Sequence, residues 1–192
     1  MLILASASPR RKELLADIVT EFEVVPSKAD ETIEEKLSPK AFVKTLATRK
    51  ALEVACRPEN EGKYVLGADT IVVYGKEILG KPTDGADAFR MLKLLSGEKH
   101  FVYTGVCLCI CKDGHVAFTT KAAKTKVYFN ELENDWTWSY IRGGSPMDKA
   151  GAYGIQDGGL VEKIEGSYTN VVGFPLELVQ EMLEKVKGGK HD

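Results

Sequence analysis

The chain has no hydrophobic run long enough to span a bilayer. Its apolar opening stretch, Met1–Ala5, is too short for the core of a signal peptide. No basic residue precedes that stretch, and Pro9-Arg10-Arg11 follows it within a few residues. The sequence therefore predicts a cytoplasmic location and no membrane partner.

Cysteine and histidine, the typical zinc ligands, are also few. The four cysteines and three histidines show no spacing typical of a zinc site. Cys107, Cys109 and Cys111 alternate along one apolar run, and neighbours at i and i+2 on a strand are poorly placed to form a disulfide with each other. We expect the cysteines, including Cys56 in a helical segment, to pack as small core or half-buried residues.

An excess of positive charge is absent as well. The 26 Lys and Arg residues are balanced by 28 Asp and Glu, for a net charge of −2. Proteins that bind nucleic acid generally are markedly basic, so the composition argues against that partner but leaves room for a local basic pocket. A length of 192 residues with 44% hydrophobic content fits one globular domain, or two lobes that share a core, and we assign a single domain to residues 1–192.

Strand-like and helix-like segments are intermixed along the chain. Turn signals at Gly75-Lys76 and Asp113-Gly114 predict two hairpins. The predicted strands are 2–5, 22–25, 64–74, 77–79, 101–111, 115–129 and 161–164. The first two predicted helices are 9–18 and 39–56, the second opened by Ser38-Pro39. The others are one capped by Thr83 or Asp84 and ending at Leu95, one capped by Asn130 with Glu133 in a capping box and ending near Arg142, and 175–186. This pattern predicts an α/β fold with a mixed twisted sheet flanked by helices.

The first predicted helix begins with an unusual turn. Ser8 is a good N-cap and Pro9 suits the first helical position, yet Arg10, Arg11 and Lys12 place three cations at the positive end of the helix dipole. Together with unpaired backbone N–H groups, such cations form a site for a polyphosphate. A solvated basic turn is the alternative interpretation.

Two acidic segments are candidates for catalysis or metal binding. Asp69 follows Gly67-Ala68 inside an apolar strand, where a carboxylate needs a cation, a metal or a hydrogen-bond network. The alternative is that the strand ends or bulges near Gly67 and leaves Asp69 in solvent. Asp30 and Glu31 lie in a polar loop and are suitable ligands for Mg²⁺ or Mn²⁺, although on local sequence alone a solvated acidic loop is the preferred interpretation.

Further candidates are cationic or lie in a glycine-rich loop. Lys50 falls in a helix, where a surface lysine is the usual expectation. Lys81 lies between Gly80 and Pro82, where a stiff backbone could direct it at a phosphate. In the loop 148–156, Gln156 offers a paired donor and acceptor that can recognise the edge of a base, and Tyr153 could stack or simply pack. A purely structural loop is equally compatible with the composition.

Five segments in this order resemble the Maf family of nucleoside triphosphate pyrophosphatases, and the resemblance extends over nearly the whole chain. They are Ser6-Ala7-Ser8-Pro9-Arg10-Arg11, Gly67-Ala68-Asp69-Thr70, Gly80-Lys81-Pro82, Asp148-Lys149-Ala150-Gly151-Ala152-Tyr153-Gly154-Ile155-Gln156 and Asn170-Val171-Val172-Gly173-Phe174-Pro175. The resemblance implies a Maf-like α/β fold related to the inosine triphosphate pyrophosphatases, with two lobes around a deep cleft. It also implies cleavage of the α–β phosphoanhydride to a nucleoside monophosphate and pyrophosphate, with a divalent cation.

The resemblance also implies roles for individual residues. Asp69 matches the family's proposed proton acceptor. The residues that match the polar positions of the phosphate and metal site are Ser8, Arg11, Glu31, Lys50 and Lys81. Glu31 and Asp69 are the implied metal ligands, and Arg10, Thr70 and Gln156 match the set of the branch that acts on dTTP and UTP.

Other functions stay open at this point. The first members of the family were linked to septum formation, so a regulatory protein that binds a nucleotide or nucleic acid without turnover is an alternative. A modified or damaged nucleotide is an alternative substrate. By resemblance, the chain could form a homodimer, as many soluble proteins do.

Overall fold

The computed structural model describes residues 1–188, which contain seven strands, six α-helices and four short 3-10 helices. The strands are β1 (Leu2–Leu4), β2 (Glu23–Val24), β3 (Tyr64–Tyr74), β4 (Glu77–Leu79), β5 (Lys99–Lys112), β6 (His115–Phe129) and β7 (Val161–Glu165). The α-helices are α1 (Pro9–Ala16), α2 (Pro39–Ala55), α3 (Gly85–Leu95), α4 (Asn134–Arg142), α5 (Tyr168–Val172) and α6 (Leu176–Gly188). The 3-10 helices are Pro58–Asn60, Ser145–Asp148, Ala150–Ala152 and Ile155–Asp157.

All seven strands belong to one mixed sheet. Its order is β2-β1-β3-β5-β6-β7, and β4 pairs with β3. Strand β1 is parallel to both β2 and β3, whereas the β3–β4 and β6–β7 pairs are antiparallel. The predicted α/β class, a mixed sheet flanked by helices, is confirmed.

The chain divides into two compact units. Unit 1 contains Met1–Asp69, Thr104–Ala123 and the segment that starts at Gly173, and unit 2 contains Thr70–Tyr103 and Lys124–Val172. All buried members of each apolar cluster belong to one unit.

Unit 1 has a core on both faces of its strands. On one side, α2 lies against the strands so closely that a Cβ at Gly67 would be 2.5 Å from the Ala47 carbonyl oxygen, and one at Gly105 would be 2.2 Å from that of Val43. Glycine is therefore required at both contact points. The buried residues of this side include Ile3, Ala47, Ala51, Val54, Val65 and Cys107. Those of the other side include Leu2, Leu4, Leu15, Leu66, Phe174, Val179 and Met182.

Unit 2 has a single core built around aromatic contacts. His100 Nε2 and the Tyr153 hydroxyl are hydrogen-bonded at 2.8 Å. Both rings meet Phe129 edge to face, with centroids 4.9 Å and 4.7 Å away. Tyr153 was expected either to stack on a ligand or to pack, and the structure shows it packed in this core. The remaining buried members include Val72, Leu79, Met91, Leu92, Leu95, Val102 and Leu160.

The predicted N-caps of three helices are observed. Ser8 Oγ accepts from the backbone N–H of Arg11 at 3.5 Å. Ser38 Oγ accepts from that of Ala41 at 3.3 Å. For α3, Asp84 rather than Thr83 is the cap, and its Oδ1 accepts from the backbone N–H of Asp87 at 2.8 Å.

The predicted start of α4 at Asn130 is wrong. The helix begins at Asn134, and its N-cap, Glu133, makes no side-chain cap. The amide of Asn130 instead donates to the carbonyl oxygen of Gly159 at 3.0 Å. Asn130 has a side chain suited to capping, but it bonds to a residue far away in the sequence, and a local sequence pattern does not reveal such a contact.

Two further details differ from the sequence prediction. The short helix α5 falls in a segment for which no element was predicted. Cys107 and Cys109 are buried and Cys111 is half-buried as expected, but Cys56 is exposed at the C-cap of α2. In the part of the chain that the structure describes, no helix has the length and apolar character that crossing a membrane requires.

Candidate active site

The start of α1 holds Arg11 in a network of hydrogen bonds. The Arg11 guanidinium donates from Nε to the Gly173 carbonyl oxygen at 2.9 Å. From Nη1 it donates to the Ala68 carbonyl oxygen at 2.9 Å and to Ser6 Oγ at 3.3 Å. This cation is therefore built into unit 1, which contradicts the interpretation of the first turn as a merely solvated one.

Burial lowers the pKa of the Arg11 guanidinium below its ordinary value. The negative charges of Asp69 and Glu31 oppose that shift, and the positive charge of Arg10 adds to it. Because all three act on the same group, Arg10, Arg11, Glu31 and Asp69 share one electrostatic environment in unit 1.

Asp69 lies inside β3 and is only 7% exposed. The alternative in which the strand ends or bulges near Gly67 and leaves this carboxylate in solvent is therefore wrong. Asp69 Oδ1 accepts from the Lys50 ammonium at 2.7 Å, which provides the cation that a buried carboxylate needs.

Lys50 connects two of the predicted acidic residues. Its Nζ is 2.7 Å from Asp69 Oδ1 and 3.0 Å from Glu31 Oε2. Only 14% of the Lys50 side chain is exposed, so it is not the surface lysine that its helical position suggested. Glu31, in contrast, has 62% of its side chain exposed and leaves room for a ligand beside it.

The structure separates Asp30 from Glu31. Asp30 Oδ1 accepts from the backbone N–H of Thr32 at 2.9 Å, which closes an Asx turn around Glu31. This backbone hydrogen bond lowers the pKa of Asp30. Asp30 thus shapes its own turn, and Glu31 is the acidic residue of the loop that reaches Lys50 and the neighbourhood of Asp69.

The remaining predicted site residues belong to unit 2. Thr70 is half-buried on β3, Lys81 is exposed after β4, and Gln156 is exposed in the 3-10 helix Ile155–Asp157. The segment with Lys81 is tied to the glycine-rich loop, because the Gly151 backbone N–H donates to the Gly80 carbonyl oxygen at 3.0 Å.

The glycine-rich loop approaches β3 closely at Gly151. This residue has a φ of +68°, and a Cβ there would come within 2.8 Å of the Val72 side chain. The Lys149 ammonium donates to the carbonyl and hydroxyl oxygens of Ser145 and to Asp148 Oδ1, which is 3.0 Å away. These contacts give the segment a structural role next to any role in recognition.

Three contributors to the site were missed by sequence reasoning. Ser6 and the carbonyl oxygen of Gly173 hold Arg11, and both lie in segments quoted for the resemblance, which was the available signal. Arg49 donates from Nη1 to the carbonyl oxygens of Asp30 and Thr32, at 3.3 Å and 2.6 Å. Nothing in the local sequence distinguishes Arg49 from other cations on a helix surface.

The carboxylates of Glu31 and Asp69 fit a hard divalent cation. Asp69 Oδ1 and Glu31 Oε2 both contact the Lys50 ammonium, whose positive charge takes the place of a metal ion between them. Mg²⁺ commonly uses one or two carboxylates and completes its coordination with water and substrate phosphates. Among residues 1–188 no group of three or more His, Cys, Asp and Glu side chains could hold a metal, so a pair of carboxylates is what unit 1 offers.

Cations, a helix N-terminus and a pair of carboxylates in unit 1 are groups of the kind that proteins acting on polyphosphates use. The comparison with known families makes this specific. The sequence model of the family described as Maf-like protein matches residues 1–186, and the chain belongs to this family.

Curated relatives cover nearly the whole chain. A dTTP/UTP pyrophosphatase of Thermococcus kodakarensis is 50% identical over 96% of this chain and 96% of its own length. A dTTP/UTP pyrophosphatase of Geobacter metallireducens is 50% identical over 94% of each. A human protein described as a probable bifunctional dTTP/UTP pyrophosphatase/methyltransferase is 45% identical over 96% of this chain, which spans 32% of that protein.

Proposed function

We propose that this protein is a nucleoside triphosphate pyrophosphatase that hydrolyses the α–β phosphoanhydride of dTTP and UTP. The products are the nucleoside monophosphate and pyrophosphate. The observation that carries the proposal is the contact of Lys50 with both Asp69 and Glu31, close to the hydrogen-bonded Arg11, in a chain half identical to two dTTP/UTP pyrophosphatases.

Asp69 is the residue that we assign as general base. Its buried carboxylate would accept a proton from the water that attacks the α-phosphorus in line with the leaving pyrophosphate. A divalent cation, Mg²⁺ or Mn²⁺, held by Glu31 and Asp69 would polarise the phosphate oxygens and offset their charge. Lys50 already contacts both carboxylates, so the two are held near one another before substrate arrives.

Phosphate binding is assigned to the cations and to the start of α1. Arg11 and the helix N-terminus at Ser8 offer N–H donors and positive charge, both of which favour a polyphosphate. Lys50 and Lys81 would offset the charge that moves onto the pyrophosphate as it leaves.

Base preference is assigned to Arg10, Thr70 and Gln156. The exposed Gln156 amide offers both a donor and an acceptor, as recognition of a pyrimidine edge requires. Substitution of Gln156 is expected to alter the preference among nucleotides more than the affinity for pyrophosphate, and an equal loss for every nucleotide would contradict this role.

The cellular setting is part of the proposal. All four cysteines carry free thiols, which suits the reducing cytoplasm. A symmetric homodimer is the expected assembly by family resemblance, and light scattering at several concentrations would measure it.

The decisive experiment measures pyrophosphate release from dTTP, UTP, CTP, 7-methyl-GTP and ITP with Mg²⁺, Mn²⁺ or EDTA. We expect metal-dependent turnover that is fastest with dTTP and UTP. In the Asp69→Asn variant turnover should fall by about 10²–10⁴-fold, because the base is lost while the shape is kept. The substitution leaves Lys50 paired with Glu31, so circular dichroism should show a folded variant.

The same panel separates the proposal from its alternatives. Tight nucleotide binding without turnover of any nucleotide would favour a regulatory binding protein, including one acting in septum formation. Turnover led by 7-methyl-GTP or ITP would keep the enzyme class but move the substrate to modified nucleotides. Normal turnover by a folded Asp69→Asn protein would remove Asp69 from the role of base.

A further inference from the structure

Arg49 contacts the loop on both sides of Glu31. Its Nη1 donates to the Asp30 carbonyl oxygen at 3.3 Å and to the Thr32 carbonyl oxygen at 2.6 Å. One guanidinium therefore contacts the backbone carbonyls of the residues immediately before and after Glu31. The next residue along α2, Lys50, contacts the Glu31 carboxylate itself.

The backbone contacts of Arg49 matter for Glu31 because few other contacts hold this residue. Residues 25–38 form no helix or strand, and 62% of the Glu31 side chain is exposed. An exposed ion pair typically contributes only about 0–1 kcal/mol. Its partner Lys50 lies closer to Asp69, at 2.7 Å, than to Glu31, at 3.0 Å. The ion pair with Lys50 alone therefore holds the Glu31 carboxylate weakly, so the conformation of the backbone turn that carries Glu31 matters for its position.

The same face of α2 fixes the earlier part of the loop. Glu53 accepts from Ser27 Oγ at 2.9 Å and from the Lys28 backbone N–H at 2.8 Å. Arg57 donates to the Pro26 carbonyl oxygen at 3.3 Å. Arg49 and Glu53 are four residues apart, as neighbours on one helix face are, and Arg57 follows just after the end of α2. Of these three, Arg49 is the one that contacts the turn around Glu31.

We propose that Arg49 is a positioning residue for the divalent-cation site, acting through the backbone of the Asp30–Thr32 turn to place the Glu31 carboxylate beside Asp69. The inference rests on the proposed function, since it assumes that Glu31 and Asp69 bind the cation. Arg49 itself contacts neither substrate nor metal in this assignment.

The sign of its effect distinguishes positioning from simple electrostatics. Arg49 is positively charged, so removing that charge alone would favour a nearby divalent cation. Removing the two hydrogen bonds would instead free the turn and weaken cation binding. A substitution that eliminates both thus gives opposite results for the two explanations.

The test is a titration of Mn²⁺, without nucleotide, followed by electron paramagnetic resonance. Arg49→Gln should weaken Mn²⁺ binding by about tenfold, as is common when a residue that orients a metal ligand is lost. Arg49→Lys, which keeps a donor but not the guanidinium, should fall between wild type and Arg49→Gln. In the activity assay, Arg49→Gln should need more Mn²⁺ for half-maximal activation, while kcat at saturating Mn²⁺ stays near the wild-type value.

Two controls isolate the effect. Lys28→Gln removes an exposed cation from the same loop but no contact with the turn, and should leave Mn²⁺ affinity within about twofold of wild type. In a Glu31→Gln background, adding Arg49→Gln should cause no further loss, because a residue that acts through Glu31 has nothing left to position.

The outcomes separate this inference from the proposed function. If wild type binds no Mn²⁺, or Glu31→Gln binds it as well as wild type, the assignment of the metal site fails. If Glu31→Gln weakens binding while Arg49→Gln leaves it unchanged or tightens it, only the positioning role is overturned. An equal loss from Arg49→Gln with and without Glu31 would also overturn that role.

Discussion

At the scale of single residues, Lys50 and Asp69 show how far local reasoning reaches. A carboxylate inside an apolar strand required a cation, a metal or a hydrogen-bond network, and the structure supplies a cation, Lys50, at 2.7 Å. The requirement followed from the sequence because burial of a charge is costly in any fold. The identity of the partner did not, because Lys50 is 19 residues away and resembles other helix-surface lysines.

His100 is a second buried titratable residue, in unit 2. Its ring is fully buried, and Nδ1 has no hydrogen-bond partner among residues 1–188. Desolvation by burial lowers the pKa of His100 to about 3. The folded protein therefore keeps this imidazole neutral at pH values where an unfolded chain would protonate it.

We predict an acid-dependent loss of stability from His100. Below its ordinary pKa of 6.5 the unfolded state takes up a proton that the folded state refuses, until the pH reaches about 3. The free energy of unfolding should fall in this window by as much as about 1.4 kcal/mol per pH unit from this residue. Urea unfolding of wild type and His100→Phe between pH 7.5 and 4.5 measures the difference.

The variant should have the flatter pH dependence. His100→Phe also leaves the Tyr153 hydroxyl without its 2.8 Å partner, so its stability at pH 7.5 should be lower. The comparison therefore concerns the slopes rather than the absolute values. Parallel curves for the two proteins would show that His100 binds no more protons in the unfolded state than in the folded state.

At the scale of elements, α2 has the most demanding position. One face packs on the strands at two glycines, a second contributes Lys50, and a third holds the loop through Arg49 and Glu53. The Ser-Pro start and the length of this helix were predictable from local cues. Its contacts were not, since they depend on which segments the fold brings to it.

We predict that Gly105→Ala is strongly destabilising. The added Cβ would be 2.2 Å from the Val43 carbonyl oxygen, so α2 would have to move away from β5. Overpacking of this kind typically costs about 1–3 kcal/mol and sometimes more. Gly80→Ala is a matched control, because a Cβ there meets no atom within 4 Å.

Both substitutions reduce the freedom of the unfolded chain to a similar degree, so that effect cancels in the comparison. Denaturant midpoints should therefore differ between the two variants by the cost of the contact. If Gly105→Ala were as stable as Gly80→Ala, α2 would not lie against β5 as described.

Strand and helix boundaries were recovered from the sequence to different degrees. The limits of β3, β4 and β6 agree with the prediction, because apolar runs are bounded there by turn signals such as Gly75-Lys76 and Asp113-Gly114. The start of α4 was misjudged because the Asn130 amide bonds to Gly159 rather than to its own helix. Local signals thus suffice where no distant group competes for the same side chain.

At the scale of the whole molecule, the fold class was predictable, but the segments that make up each compact unit were not. Alternating segments and a strong hairpin signal predicted a mixed sheet, which the strand order confirms. The units combine segments from distant parts of the chain, such as Leu2 and Leu4 with Phe174 and Val179 in one buried cluster. Periodicity identifies which residues are buried but not with which others they pack.

We predict that a chain ending at Val172 does not form a stable unit 1. It lacks Phe174, Val179 and Met182, which are all buried, and the Gly173 carbonyl oxygen that accepts from Arg11. Each buried apolar side chain contributes about 1.5–3 kcal/mol, so the total loss approaches the stability of a typical domain. Hydrogen exchange of β1 and α1 amides, compared with the full chain, measures the effect, and full protection would contradict it.

The arrangement of unit 1 also bears on how the protein is made. Strand β1 leaves the ribosome before α6, which covers the same buried cluster and follows every other element described. At about 5–20 residues per second, the residues of β1 wait roughly ten seconds or longer for their packing partners. During that interval Leu2, Leu4 and Leu15 are uncovered, so this cluster is where a chaperone would bind the nascent chain.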